Sequence, residues 1–145
     1  MIAYRWDALG AWARAQAWRL LWGARLGHGV KVHAGTRWRG PRGALALGDG
    51  VELYAGTRLL CTTDGGIAIG AGSHIAPGGH LLAGGQLLVI GEQVAIGPQV
   101  AIFCESNGSA AGVPFVAQHV AAPVHIGRNV FLGARVTVLP GAVIN

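Results

Sequence analysis

A chain of 145 residues and 14.9 kDa has the length of one domain, since domains usually hold about 100–200 residues. Hydrophobic residues make up 52% and charged residues only 12%, with 25 glycines, which excludes a disordered chain and leaves a surface that an oligomer interface is expected to cover. The net charge is +5, and all basic residues except Arg128 and Arg135 lie before residue 60, a distribution that suits an anionic membrane or a phosphate-bearing substrate.

Residues 1–25 read as an N-terminal amphipathic helix. Ile2, Trp6, Leu9, Ala13, Ala17, Leu20 and Ala24 fall on one face at about 100° per residue. Tyr4, Trp18 and Trp22 lie on another side, beside Arg14. Such a helix suits the sealing of the open end of a repeat array. Trp and Arg on two faces also suit a helix lying on a membrane surface. Arg5, Asp7 and Arg14 interrupt the apolar stretch a signal peptide requires, and no run reaches the 18 or so apolar residues of a spanning helix. The expected location is cytoplasmic, with peripheral membrane contact through this helix as an option. Aromatic residues are not interleaved with the arginines, as a base-stacking platform would need, so no nucleic-acid partner is expected.

From Leu26 onward an aliphatic residue (once Trp) recurs every six positions: Leu26, Val32, Trp38; Leu47, Leu53, Leu59; Ile69, Ile75, Leu81; Ile90, Ile96, Ile102; Ile126, Leu132, Val138, Ile144. A second small or β-branched residue follows four places later, as at Thr36, Val51, Thr57, Thr63, Ser73 and Val94. A period of six fits neither a helix nor a simple alternation. It describes a short strand plus a corner, with the aliphatic side chain pointing into a shared triangular prism. Three units make one coil, and coils stack at about 4.8 Å because none can bury its apolar side alone. Residues 26–145 are therefore predicted to form an all-β, parallel β-helix of four coils plus a partial fifth.

The coils begin 21, 22, 21 and 36 residues apart by this count, and the surplus always follows the third unit, near 40–44, 64–68, 84–89 and 105–125. The insertions thus project from one corner, where binding faces of solenoids cluster, and the long loop at 105–125 is the functional candidate. Cys61 and Cys104 each fall two places past a third-unit aliphatic, in one column with Ala83 between them. Two coils span about 9.6 Å, beyond the roughly 7 Å reach of a disulfide, so free packing thiols are expected. His74 and His80 lie on adjacent faces, and His28, His33 and His125 occupy other registers, so no metal site is expected from the roughly three converging ligands that zinc requires.

The stretch PVHIGRNVFLGARVTVLPGAVIN, residues 123–145, resembles the hexapeptide-repeat, left-handed β-helix acyltransferases, and specifically the bacterial sugar and polysaccharide O-acetyltransferases. The preceding VPFVAQHVAAPV, residues 113–124, resembles the long loop of those enzymes. The resemblance implies a left-handed helix and a homotrimer with sites between neighbouring prisms. It also implies acetyl-CoA as cosubstrate, a sugar or lipid-linked saccharide as acceptor, and a histidine base that activates the acceptor hydroxyl. It places that histidine where this chain has Asn107, which takes no proton at neutral pH. Glu105, two residues earlier, and His119, in the same loop, are the candidates to replace it. Phe131 and Ala134 match family positions along the pantetheine groove. The family normally adds a further coil and a basic tail, beyond the position of Asn145. An acetyltransferase of polysaccharide synthesis is the leading expectation; a non-catalytic hexapeptide-repeat scaffold or carbohydrate-binding pseudoenzyme is the alternative.

Overall fold

A side chain that must point inward at every sixth residue needs a corner turned in four. In the computed structural model, which describes the backbone of residues 2–145 and the side chains of residues 7–145, the chain does this repeatedly. The first coil is β1 (Arg25–Leu26), β2 (Lys31–Val32) and β3 (Arg37–Arg39). The second is β4 (Leu45–Leu47), β5 (Glu52–Leu53) and β6 (Arg58–Cys61), and the third is β7 (Gly66–Ile69), β8 (His74–Ile75) and β9 (His80–Gly84). The fourth is β10 (Leu87–Ile90), β11 (Ala95–Ile96) and β12 (Ala101–Phe103). A two-stranded ribbon, β13 (Glu105–Ser106) with β14 (Val120–Ala121), interrupts before the fifth coil of β15 (Val124–Ile126), β16 (Phe131–Leu132) and β17 (Thr137–Val138). Finally β18 (Val143–Ile144) begins a sixth.

Corresponding strands stack in parallel into three faces. Face A has the order β1-β4-β7-β10-β15-β18, face B β16-β11-β8-β5-β2, and face C β17-β12-β9-β6-β3. The parallel β-helix is thus as the repeat predicts, but five coils are complete and a sixth has started. The group from Ile126 to Val138 closes a full coil, which corrects the count of four and a part.

The repeat aliphatics form the core. Leu53, Ile75 and Ile96 on face B and Leu81 and Ile102 on face C are wholly buried, each contributing about 1.5–3 kcal/mol by leaving water. Face A carries a second inward column, Leu45, Ile67, Leu88 and Val124, each no more than 2% exposed, which the six-residue period does not reveal. These residues precede Leu47, Ile69, Ile90 and Ile126 by two positions, so much of the surplus read as insertion lengthens the strands of face A instead. Gly48 shows why the corners stay small: a Cβ there would meet the Ala71 nitrogen of the next coil at 2.6 Å.

The helix α1 (Ile2–Trp22) covers the start of the prism, but not through the expected stripe. Ala11, Ala15 and Trp18 are buried, whereas Leu9 and Leu20 are 58% and 75% exposed and Ala13 is exposed as well. The small alanines let the helix lie close to the prism, and Trp18 fills the space beyond them. The side chains of Ile2, Tyr4 and Trp6 lie outside the described residues. Gly23, with φ +62°, ends the helix in the left-handed conformation that suits glycine. Arg42 donates to the Leu21 carbonyl at 3.2 Å, placing a cation on the negative end of the helix. Asp7 Oδ2 lies 3.1 Å from His33 Nδ1, and Glu52 Oε1 lies 2.6 Å from His33 Nε2, so one imidazole joins the helix to the first two coils. Tyr54 stacks on that ring at 5.0 Å.

Candidate functional site

The longest insertion leaves and re-enters the prism at a single point, the corner between faces C and A in the fourth coil. Cys104 is fully buried; its N–H donates to the Leu82 carbonyl at 2.8 Å and its carbonyl accepts from the Ala122 N–H at 2.9 Å. Beyond it, β13 and β14 pair antiparallel, with Glu105 opposite Ala121 and Ser106 opposite Val120. Asn107 directly follows β13 and His119 directly precedes β14. The three candidates Glu105, Asn107 and His119 therefore share the base of one loop.

Their surroundings differ. Asn107 Nδ2 donates to the Phe115 carbonyl at 2.8 Å and to the Gln118 carbonyl at 3.2 Å, so its amide staples the loop shut. Gln118, which sequence reasoning passed over, does the same from the other side. Its amide donates to the Val113 carbonyl at 2.7 Å and accepts from the Ala110 N–H at 2.5 Å. Glu105 Oε1 accepts from the Gly85 N–H at 2.6 Å. Its carboxyl occupies the space that a side chain at Gly84 would need, and Gly84 itself has φ +57°. The pair Gly84-Gly85, read from sequence only as a corner, is the socket for the foot of the loop. His119 is exposed and makes no hydrogen bond or ion pair among the described residues. Histidine is the side-chain type that exchanges a proton near neutral pH, and in this group it is the one left chemically free.

Phe131 and Ala134 lie elsewhere. Phe131 projects from face B, 74% exposed, opposite Ala95. Ala134 turns the corner between faces B and C, its nitrogen against Gly97. Within one copy, the width of face C separates them from the loop. The exposed ring stands beside Ala95, which in turn neighbours His74 on the same face.

The cysteines are not nucleophiles in this setting. Burial pushes the Cys61 thiol up to about 11. Burial also raises Cys104, helped by the nearby Glu105 charge and opposed by a backbone hydrogen bond at Val124. Both are free and buried. Their shared column is broken by a register shift between Leu60 and Cys61 that sets Cys61 opposite Gly84 rather than Ala83. Among the described residues no three His, Cys, Asp or Glu side chains converge to hold a metal ion, and no helix is long and apolar enough to cross a membrane.

The fold and the loop define the class, a parallel β-helix with a folded insertion at one corner. No protein family, curated protein or solved structure matches the chain.

Proposed function

We propose that the chain is a CoA-dependent acyltransferase of the hexapeptide-repeat type, moving an acetyl group from acetyl-CoA to a hydroxyl of a sugar or lipid-linked saccharide. The observation that carries this reading is the loop base, where an unengaged His119 directly precedes β14 and Asn107 directly follows β13, on a foot fixed by Glu105. His119 takes the proton of the acceptor hydroxyl as that oxygen attacks the thioester carbonyl. The carbon–sulfur bond breaks, the O-acetyl ester forms, and the proton passes to the departing CoA thiolate. General-base assistance of this kind contributes about 10²–10⁴-fold. Asn107 and Glu105 act as positioning residues, since the amide nitrogen of the first holds the loop and Oε1 of the second holds Gly85.

What one copy leaves uncovered supports assembly as a homotrimer. The loop tip exposes Phe115 and Val116, at 69% and 90%, and the outer side of face A carries Ala46, Ala68 and Val89 in a column between Arg25 and His125. A closed ring joins two different patches of adjacent copies. The loop and face A of one copy against face B of the next would bring the neighbour's Phe131 and Ala134 to the loop and complete an acyl-CoA groove. Exposed Leu9, Trp12, Leu20 and Leu21 on α1, with Arg19 near its end, suit peripheral contact with a membrane that carries the acceptor.

The second reading, a non-catalytic scaffold or carbohydrate-binding pseudoenzyme, is favoured by one observation: the residue at the motif's histidine position, Asn107, uses its amide nitrogen to hold the loop. An acetyl-CoA transfer assay over a panel of sugars and saccharide acceptors separates the two. The expected result is transfer that His119→Ala lowers by about 10²-fold or more, with sedimentation at three times the chain mass. No transfer to any acceptor, or a full rate in His119→Ala, overturns the catalytic reading.

A further inference from the structure

Face C carries a column of basic side chains that nothing among the described residues neutralises. Arg37 lies beside Arg58, and Arg58 beside His80, in consecutive parallel strands, with Arg39 two residues along from Arg37 on the same outer side. Neighbouring strands are about 4.8 Å apart, and like charges placed directly opposite each other destabilise a sheet. The other charged face is organised differently: on face B, Lys31 lies beside Glu52, and His33 sits between Glu52 and Asp7. Other arginines are also engaged. Arg19 and Arg42 donate to backbone carbonyls, and Arg128 and Arg135 to glutamine side chains. Arg37, Arg39 and Arg58 are exposed and, among the described residues, have neither an ion pair nor a hydrogen bond.

These cations also border a built cleft. It measures about 560 Å³ and is enclosed on one side by Trp18 and Trp22 from the last turns of α1, and on the other by Arg37, Arg39, Arg58 and His80. Trp38 lines the same cleft, and its indole nitrogen is the one buried side-chain polar atom without a hydrogen-bond partner among the described residues. The guanidinium fork matches phosphate oxygens in paired hydrogen bonds. Three guanidinium groups and an imidazole, spread over three strands, exceed what one phosphate can contact, and the tryptophan wall offers surface to a carbon group attached to it.

We propose that this cleft is a binding site for an organic diphosphate, with Arg37, Arg39, Arg58 and His80 holding the diphosphate and Trp18 and Trp22 holding the organic part. The binding stands on the cleft alone. Its use, to anchor a diphosphate-bearing acceptor between the helix and the loop, rests on the acyltransferase reading.

Calorimetric titration of the full chain, without any acyl donor, tests the binding independently of catalysis. The probes are inorganic pyrophosphate, uridine diphosphate and farnesyl diphosphate. At least one organic diphosphate is expected to bind about tenfold or more tightly than pyrophosphate, and Arg58→Gln to weaken it by about tenfold or more, as loss of a charge-assisted hydrogen bond does. Trp22→Ala is expected to abolish the advantage over pyrophosphate, and Arg128→Gln, at a distant corner, to change nothing. A preference for the farnesyl compound assigns a lipid carrier, and a preference for the uridine compound a nucleotide carrier. Should Arg58→Gln not fold, the equally exposed Arg37→Gln takes its place. Organic diphosphates no tighter than pyrophosphate, full binding in the arginine variant, or equal loss in Arg128→Gln overturns the site. Absence of acetyl transfer with this binding intact would remove the acyltransferase reading and leave the cleft assignment standing.

Discussion

Ser73 occupies an inward corner position at 1% exposure, where its hydroxyl donates to the Gly91 carbonyl at 2.8 Å and accepts from the Val94 N–H at 2.9 Å. One small side chain thereby joins two successive coils. Thr57, also fully buried, only donates, to the Tyr54 carbonyl at 2.8 Å, a carbonyl that Thr36 reaches as well at 3.1 Å. Removing a donor from a carbonyl with another partner costs less than stranding a buried N–H. Ser73→Ala is therefore expected to lower stability by about 1–3 kcal/mol, and Thr57→Val by less, as read from denaturant midpoints. Equal losses would contradict this account. The rule that placed small or β-branched residues four positions after each aliphatic finds Ser73, Thr57 and Val94 inside, yet it misplaces Thr63, which is exposed. At Thr63 the chain has already left the six-residue register for the turn into the next coil, and position alone does not reveal that departure.

At the level of elements, the loop is held by its foot. The Glu105 carboxyl packs where a Gly84 side chain would stand, so Gly84→Ala must expel it and also strain a left-handed backbone. The variant is expected to lose at least about 1 kcal/mol of stability, together with protease resistance across residues 105–125. In the Glu105→Ala background the same glycine change should cost less, because the clash has gone and only backbone strain remains. A thermal-melt double-mutant cycle with no coupling between the two would show that the foot does not depend on this contact. None of this is visible in the linear pattern, since a glycine pair reads as a corner whether or not a carboxylate fills it. The helix shows the same limit. Two apolar stripes share α1, and the larger one, with Leu9 and Leu20, dominates any periodicity reading. Contact with the prism instead selects Ala11 and Ala15, whose lack of bulk permits close approach.

Across the whole molecule, stability is expected to depend on place in the stack. Leu53 is fully buried on β5, flanked by β2 and β8, while Leu132, 7% exposed, lies on β16 at the end of face B with β11 as its one neighbour. Leu53→Ala is expected to cost about 2–5 kcal/mol, and Leu132→Ala less, because a terminal repeat has one interface rather than two. Matching losses in calorimetry would argue against coil-by-coil additivity. The stacking that makes this so is legible at every sixth residue, from Val32 to Val138. Distances of 21 and 22 residues likewise separate Arg37, Arg58 and His80, but such a column becomes meaningful only once the coils are superposed and, among the described residues, no ion pair is found to it. The links within a coil are equally telling. Four residues join face A to face B, and four join face B to face C, in every complete coil, whereas the return from C to A ranges from the two residues after β9 to the twenty between β12 and β15. Two seams of the prism are thus closed to change in length, and the third is open to it. A lineage built on this scaffold would acquire new specificities by lengthening or exchanging segments along one edge, leaving the rest of the architecture unaltered.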